Sequence, residues 1–323
     1  MKNLINLKTP NEIAEKLLKE ESVGIIFHIR PDGDAIGSAL SLYLGLISKG
    51  VKADVLCADD IPEKFSFLPI INKIKKGAEN NYSALIAVDC GELSRLGELS
   101  EFYYRHKNTY NIDHHLSNTK FGVNNFVCTN PSNSENVYEI LKALGVEFTK
   151  EIATLLFMGL MTDTGGFRHK GVLGSTYKIA GELIEYGAEP NEIYYNCFSK
   201  QTKGRAKLFG VVVSKLRYFL ENRLSIASVF ISDIESSGAK PSDTEGIIDF
   251  VMGIEGVEVG ICLLETDKNK FKISFRGKNT DVNEIAGCFG GGGHKLASGC
   301  QIHGEYEEVI DKLHYAVKSH LRD

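Results

Sequence analysis

Apolar runs of strand length that end at histidine or acidic residues constrain the fold of this sequence most strongly. Residues 23–27 and 84–88 are such runs, followed at once by His28 and Asp89, and the strand-length segment 109–112 leads into Asp113. After the first run, residues 35–48 combine small and apolar residues in a pattern typical of a helix packed closely on a sheet. Strands that alternate with helices predict an α/β fold with a mostly parallel sheet and helices on both faces.

Four short motifs carry the acidic residues and histidines of the first half of the chain. They are His28-Ile-Arg-Pro-Asp32-Gly-Asp34, Ala87-Val-Asp89-Cys90, Asp113-His114-His115 and Met161-Thr-Asp163-Thr-Gly-Gly166. The first three follow predicted strands, and the fourth ends a helix predicted over 150–161. Because ligands of such sheets gather beyond the carboxyl ends of the strands, we expect the first three motifs to converge in space.

The chemistry of these motifs indicates a pair of divalent metal ions. Clustered carboxylates raise each other's pKa unless cations lie between them, and carboxylates with imidazoles suit hard or borderline metals. Asp89 is the natural bridging ligand, since one carboxylate has two oxygens and such ions lie about 3.5–4 Å apart. The mixed shell favours two Mn²⁺, with Mg²⁺ or Co²⁺ as alternatives. Such a pair activates water and polarises a phosphoryl oxygen, which predicts direct hydrolysis without a covalent phospho-enzyme.

Composition and charge limit the partners. The net charge is -5 and Lys and Arg are dispersed, whereas proteins that track long nucleic acid carry a basic stripe. The seven cysteines are odd in number and contain no CxxC pair, which argues against a disulfide framework or a structural zinc site. We see no signal peptide and no membrane-length apolar run. We therefore expect a cytoplasmic protein that acts on short phosphorylated substrates, not on a long duplex or at a membrane.

A change of pattern after residues 186–190 predicts a second domain. The stretch 199–205 is polar and linker-like, and an alternating region follows it. In that region we predict strands at 225–231, 257–264 and 271–275 and helices at 243–252 and 305–321. The expected division is a metal-binding domain over 1–190, a linker over 191–207 and a smaller α/β domain over 208–323.

Glycines and arginines supply the candidates for substrate binding. Four glycines precede His294, and glycine lets successive backbone N–H groups form an anion-binding nest. A flexible surface loop is the alternative interpretation. Arg276 follows a predicted strand and suits a bidentate phosphate contact, with a solvent-facing arginine as the alternative. The candidates, including an arginine that closely follows Asp163, are Arg168, Arg276, Gly291, Gly292, Gly293 and His294.

In combination these motifs resemble the DHH phosphoesterase superfamily. The matching residues are His28-x-x-Pro-Asp-Gly-Asp-Ala-x-Gly-Ser38, Asp89, Asp113-His-His115 and Asp163. Gly290-Gly-Gly-Gly-His294-Lys-Leu-Ala-Ser298-Gly is similar to the signature of the DHH-associated C-terminal domain. The resemblance covers essentially the whole chain, and its length and motif order are similar to the nano-RNase and 3′-phosphoadenosine-5′-phosphate (pAp) phosphatase group. It implies an active site in the cleft between the two domains.

The resemblance also implies a role for each residue. One metal would be held by His28, Asp32 and Asp89, and the second by Asp34, Asp89, His114 and Asp163. His115 would approach the scissile phosphate as a general acid or transition-state stabiliser, and Asp113 would orient a histidine from behind the ligands. One departure lies in Pro131-Ser-Asn-Ser-Glu135, where Asn133 stands at a position often occupied by threonine in the family.

The implied function is hydrolysis of very short RNA or DNA oligonucleotides to mononucleotides, with removal of the 3′-phosphate of pAp as a second activity. A close alternative is a phosphodiesterase of cyclic dinucleotide turnover that acts on pApA or cyclic di-AMP. Pyrophosphatase activity agrees less well with the glycine-rich signature. A non-catalytic nucleotide sensor would be expected to have lost ligands, and all six predicted metal ligands are present. The polarity of attack and the oligomeric state, a homodimer included, are left open.

Overall fold

The computed structural model describes residues 4–77 and 81–321. Its internal contacts divide the chain into two compact units, Met1–Lys200 (unit 1) and Gln201–Asp323 (unit 2). Each unit is built on a sheet with packed helices, which confirms the predicted α/β class. Within the described residues, every helix is too short or too polar to cross a membrane.

Unit 1 contains a seven-stranded, entirely parallel sheet. Its strands are β1 Ile5–Asn6, β2 Ser22–Phe27, β3 Lys52–Cys57, β4 Ile74–Lys76, β5 Ala84–Val88, β6 Thr109–Asp113 and β7 Asn124–Val127. Their order across the sheet is β1-β7-β6-β5-β2-β3-β4. The three strands that precede the acidic motifs, β2, β5 and β6, are therefore adjacent at the centre of the sheet.

Helices cover both faces of this sheet. The α-helices are α1 Pro10–Leu17, α2 Gly33–Ser48, α3 Ser100–Arg105, α4 Asn133–Ala143, α5 Lys150–Asp163, α6 Gly174–Glu185 and α7 Pro190–Tyr194. Shorter helical turns lie at Glu63–Phe65, Pro69–Lys73, Leu93–Leu99 and Tyr195–Ser199. Neighbouring residues of β2 face opposite cores, because Ile25 packs with α1, α2, α4 and α5 while Ile26 packs with α3 and the turn before it. Burial on both faces explains the continuous apolar runs.

Close contact between α2 and α5 depends on glycine. A Cβ on Gly37 of α2 would lie 2.3 Å from the carbonyl oxygen of Leu155 in α5. A Cβ on Gly159 of α5 would lie 2.6 Å from Oδ1 of Asp34 and still closer to Ser134. The small residues noted in the sequence therefore bring α5 against the first motif.

Unit 2 contains a six-stranded mixed sheet. Its strands are β8 Arg217–Phe219, β9 Leu224–Val229, β10 Val259–Asp267, β11 Lys270–Gly277, β12 Gly292–His294 and β13 Ala297–His303, in the order β12-β13-β11-β10-β9-β8. Its helices are α8 Lys203–Ser214, α9 Ile231–Ser237, α10 Ile247–Gly253, α11 Val282–Gly287 and α12 Tyr306–His320, with a short turn at Pro241–Thr244. One face packs against α11 and α12. On the other face, α8 and α10 cover β9 and β10.

Two segments differ from the sequence expectation. The stretch 191–207, expected to be a linker, is largely helical, because Pro190 starts α7 and the hydroxyl of Thr202 caps the backbone amide of Arg205 at 3.0 Å. The helix predicted over 243–252 begins only at Ile247, since Gly246 adopts a φ of +83° just before it.

Candidate metal centre

The first motif forms a turn that also begins α2. Oδ1 of Asp32 accepts the backbone amides of Asp34 and Ala35, each at 3.0 Å, and so caps the helix. Asp34 then lies in the first helical turn and is fully buried, while the ring of His28 remains at the end of β2. Capping by Asp32 thus brings two carboxylates and one imidazole together at the mouth of one strand.

The other ligand candidates reach the same place from three directions. Asp89 follows β5 directly with a φ of +54°, in the left-handed region that non-glycine residues seldom adopt. His114 follows β6, and its Nδ1 lies 2.9 Å from the carbonyl oxygen of Asn130, which directs Nε2 to the site. Asp163 is the last residue of α5.

These side chains form three overlapping groups whose ligand atoms lie within 4.8 Å of one another. The groups are His28 with Asp32 and Asp89, Asp34 with His114 and Asp163, and Asp89 with His114 and His115. Nε2 of His28 lies 3.6 Å from Oδ2 of Asp89, and Nε2 of His114 lies 3.3 Å from Oδ1 of the same carboxylate. The two oxygens of Asp89 therefore face different histidines. All six candidate ligands belong to these groups.

The donor set fits divalent cations. Oδ1 of Asp89 is buried without a hydrogen-bond partner, although Nε2 of His114 lies 3.3 Å from it. A buried acceptor of this kind is costly unless a cation or hydrogen bond satisfies it. Nδ1 of His28 lies 2.8 Å from the carbonyl oxygen of Ile29, so Nε2 of that ring is the atom that faces the carboxylates. Oxygen and imidazole donors in this arrangement suit Mn²⁺ or Mg²⁺.

The electrostatics of the cluster also call for positive charge. Burial raises the pKa of Asp34 well above its usual range and the pKa of Asp163 to about 6. Burial alone would lower the pKa of His114, but the neighbouring Asp89 outweighs it and raises that pKa to about 10. Conversely, His114 and His28 overcome the burial of Asp89 and lower its pKa. The carboxylates thus draw a proton to the histidines, and a bound cation would take over that neutralising role.

His115 is held differently from the other histidines. Its Nδ1 lies 2.7 Å from Oδ1 of Asp113, a fully buried carboxylate, and 3.9 Å from Oδ1 of Asp89. The hydrogen bond to Asp113 raises the pKa of His115. Since Nδ1 donates to Asp113, the free Nε2 is the atom available to a substrate, and the His115 side chain is 46% exposed.

Asparagines that were not predicted from the sequence hold Asp113, the partner of His115. Nδ2 of Asn118 donates to Oδ2 of Asp113 at 2.5 Å and to Oδ1 of Asn111 at 2.9 Å. Nδ2 of Asn136 donates to the carbonyl oxygen of Asp113 at 3.1 Å. These residues lie on a loop, a strand and a helix, so no spacing in the sequence could have revealed the network.

Asp34 has a second structural partner that the sequence analysis also missed. Ser132, which precedes α4, makes no side-chain cap, and Asp34 takes its place from another helix. Its Oδ2 accepts the backbone amide of Asn133 at 2.5 Å, and its Oδ1 accepts the amide of Ser134 at 2.9 Å and the hydroxyl of Ser134 at 2.5 Å. The departure noted at Asn133 therefore lies in direct contact with a candidate ligand, through its backbone.

The candidate substrate residues lie in both units. Arg168 is exposed in unit 1, and its Nε donates to the carbonyl oxygen of Gly165 in its own turn. In unit 2, Arg276 of β11 is paired with Ala297 of β13, which is paired with His294 of β12. Arg276 and His294 therefore share one face, with β13 between them.

The glycine run is already paired within the protein. The amides of Gly290, Gly291 and Gly293 donate to the carbonyl oxygens of Gly287 and Ala286 and to Oδ1 of Asn283, respectively. A Cβ on Gly291 would lie 2.2 Å from the carbonyl oxygen of Gly299. These glycines thus permit a tight approach to β13, and binding of an anion by Gly291, Gly292 and Gly293 stays a prediction.

The chain is similar in sequence to proteins of one known family. Residues 22–160 match the model of the DHH family, N-terminal domain, and residues 225–323 match that of the DHHA1 domain. The bifunctional oligoribonuclease and PAP phosphatase NrnA of Thermus thermophilus is 30% identical over 96% of this chain and 93% of its own length. The protein of the same name from Bacillus subtilis is 26% identical over 91% of this chain and 94% of its own.

Solved structures show the same architecture. An exopolyphosphatase-related protein from Bacteroides fragilis superposes with a TM-score of 0.83 at 26% identity, over 96% of both chains. RecJ of Thermus thermophilus, solved in complex with Mn²⁺, shares the fold at 15% identity with a TM-score of 0.53, over 97% of this chain and 55% of its own. Two matched domains and a full-length relative at 30% identity lead to one conclusion: the chain belongs to the DHH family.

Proposed function

We propose that this protein is a metal-dependent hydrolase that cleaves very short oligonucleotides to mononucleotides and also removes the 3′-phosphate of pAp. The observation that carries the proposal is the position of Asp89, whose two oxygens face two separate groups of candidate ligands. Near-full-length relatives named as oligoribonucleases and PAP phosphatases support the substrate class.

The proposed metal ligands fall into two sets. His28, Asp32 and Asp89 would hold one Mn²⁺, and Asp34, Asp89, His114 and Asp163 the other. Mg²⁺ and Co²⁺ are alternatives. When bound, the two ions supply a nucleophilic water near neutral pH and stabilise the charge that develops on the phosphoryl oxygens.

The remaining roles fall to side chains that are not ligands. Asp113 holds His115 so that Nε2 can donate a proton to the leaving oxygen of the scissile phosphate. The network of asparagines behind Asp113 keeps that orientation. In unit 2, Arg276 and His294 are proposed to hold a terminal phosphate, and Arg168 of unit 1 is proposed as a further phosphate contact.

Net charge and the state of the cysteines support the proposed substrates and the proposed cellular location. A net charge of -5 provides little attraction for a long duplex, so short strands and small nucleotides are the proposed partners. The described cysteines are all free, which agrees with a reducing cytoplasm. Hydrolysis of linear pApA or cyclic di-AMP remains the alternative function within the same chemistry.

A substrate panel tests the proposal. Chelator-treated protein is supplied with Mn²⁺ and assayed on pAp, pApA, pGpG, cyclic di-AMP and RNA from two to about 24 nucleotides. We expect the highest kcat/KM on the dinucleotides and the shortest RNA, with slower release of phosphate from pAp. A maximum on cyclic di-AMP would favour the alternative function, and binding without turnover of every substrate would contradict the enzyme proposal.

A further inference from the structure

The face of the unit 2 sheet opposite α11 and α12 contains a strip with almost no side chains. On β11, Phe271, Ile273 and Phe275 point into the core, so the residues between them face the other way. One of these, Ser274, is paired with Gly299 of β13, which is paired with Gly292 of β12. Backbone therefore forms the surface along this row, and a flat ring can lie directly on it.

Polar side chains border the strip on both sides. Arg276 and His294 belong to the row on one side. Lys272 and Gln301, which are register partners, form the row on the other side. Arg276 lies four positions after Lys272 on β11, which corresponds to about 14 Å along an extended strand. At this spacing the two cations are suited to contact different phosphates of one strand.

A cavity of about 430 Å³ lies on the Lys272 side of the strip. Its lining includes Lys272, Ser274, Phe289, Gly290, Gly299 and Gln301. Lys272 and Gln301 are exposed, and within residues 4–77 and 81–321 neither side chain makes a hydrogen bond or ion pair. The core beneath α8 and α10 is built on β9 and β10, and Lys272 and Gln301 lie outside it and remain exposed.

We propose that Lys272 and Gln301 form a second phosphate-binding position that is used only by substrates longer than a dinucleotide. The inference rests on the proposed function, and it adds a length-sensing contact beyond Arg276 and His294. A nucleobase would lie over the row of Ser274, Gly299 and Gly292, with the preceding phosphate at Arg276 and a later one at Lys272. A cation next to a flat surface on which any nucleobase can lie is the combination that binds single strands without base preference.

Kinetics on substrates of two lengths test this position. In Lys272→Ala we expect kcat/KM for a pentanucleotide to fall by about three- to tenfold, while the values for pApA and pAp stay unchanged. The salt dependence of KM for the pentanucleotide should also weaken, by about 0.7 in the logarithmic slope for one lost contact. Lys312→Ala is the matched control, because Lys312 is an exposed lysine on α12, which covers the opposite face of the sheet.

Binding without turnover separates this inference from the proposed function. A fluorescein-labelled pentanucleotide is titrated in EDTA and followed by anisotropy, so that no hydrolysis is required. Weaker binding by Lys272→Ala than by wild type and Lys312→Ala supports the position even if no substrate of the panel is hydrolysed. Equal binding and equal kcat/KM for Lys272→Ala and wild type on the pentanucleotide would overturn it. Equal losses on pApA and the pentanucleotide would overturn the length dependence.

Discussion

Oδ1 of Asp113 lies 2.7 Å from Nδ1 of His115, so a buried carboxylate fixes the exposed imidazole of the pair His114–His115. The same carboxylate accepts a hydrogen bond from Asn118 through its other oxygen. The orientation of His115 therefore depends on a residue outside the DHH motif itself.

Replacing Asn118 should impair catalysis without impairing substrate binding. In Asn118→Ala, Asp113 loses one of its hydrogen bonds and His115 loses its fixed orientation, so we expect kcat to fall by about 10- to 100-fold with little change in KM. Steady-state kinetics on pApA measure this split. Asn279→Ala, an exposed asparagine in unit 2, is the control and should keep wild-type kinetics. Unchanged kcat in Asn118→Ala would show that Asp113 holds His115 unaided.

Metal binding should stabilise the folded protein through Asp89. Adding Mn²⁺ to chelator-treated protein should raise the Tm by several degrees, because the ions bind the folded state preferentially. In Asp89→Asn this shift should be lost, and turnover should fall by at least about 100-fold. Asparagine is the suitable substitution because it tolerates the positive φ of this position, whereas alanine adds backbone strain.

Differential scanning fluorimetry with and without Mn²⁺ measures the shift in each variant. Asp249→Asn, an exposed aspartate on α10, should keep the full wild-type shift and serves as the control. A full Mn²⁺ shift in Asp89→Asn would contradict the assignment of Asp89 as the shared ligand.

Adding a methyl group at Gly159 should displace Asp34 and so weaken the metal centre. The Cβ of Gly159→Ala would overlap Ser134 and lie 2.6 Å from Oδ1 of Asp34, so we expect a loss of about 1–3 kcal/mol in the free energy of unfolding together with weaker Mn²⁺ binding. Urea denaturation and calorimetric titration measure the two effects.

The matched control is Gly181→Ala on α6, where no atom lies within 4 Å of the added Cβ. This variant should be more stable than wild type by about 0.5–1 kcal/mol, because alanine has the higher helix propensity. If Gly159→Ala and Gly181→Ala had the same free energy of unfolding and the same Mn²⁺ affinity, the close packing of α5 against Asp34 would contribute neither to stability nor to metal binding.

Asp34 and Asp89 should differ in their effect on the metal-free protein. Asp34 satisfies backbone amides at the start of α4, and an asparagine there offers one acceptor oxygen where the carboxylate offers two. In EDTA, Asp34→Asn should therefore lose about 1–3 kcal/mol of unfolding free energy. Asp89→Asn should lose less, because Oδ1 of Asp89 makes no hydrogen bond. Equal urea midpoints for the two variants would contradict the capping role.

The central strands, and the acidic residues and histidines at their ends, could be predicted from sequence because their signals are local. Strands β2 and β5 contain continuous apolar runs followed directly by His28 and Asp89, and β6 ends at Asp113. Strand β7 was missed because it contains Asn124 and Asn125, which read as loop residues. Nδ2 and Oδ1 of Asn125 pair with the backbone of Gly122, which makes burial of this amide tolerable.

Parts of the site could not be predicted because they depend on contacts between distant segments. The bond from Asn118 to Asp113 crosses a loop, and the cap that Asp34 provides to α4 joins residues about a hundred positions apart. In unit 2, the pairing of three amides of the glycine run with α11 and its neighbours was likewise invisible, although the run itself marked the segment.

Asp34 is both a candidate metal ligand and the cap of α4, and this affects how inactive relatives of this protein should be recognised. A descendant that lost its metals would still need a carboxylate at this position to start α4, so an aspartate there is compatible with a pseudoenzyme. Oδ1 of Asp89 makes no hydrogen bond, so it has no comparable role at the start of a helix. Loss of Asp89, not retention of Asp34, is therefore the informative sign that a protein of this fold has given up catalysis.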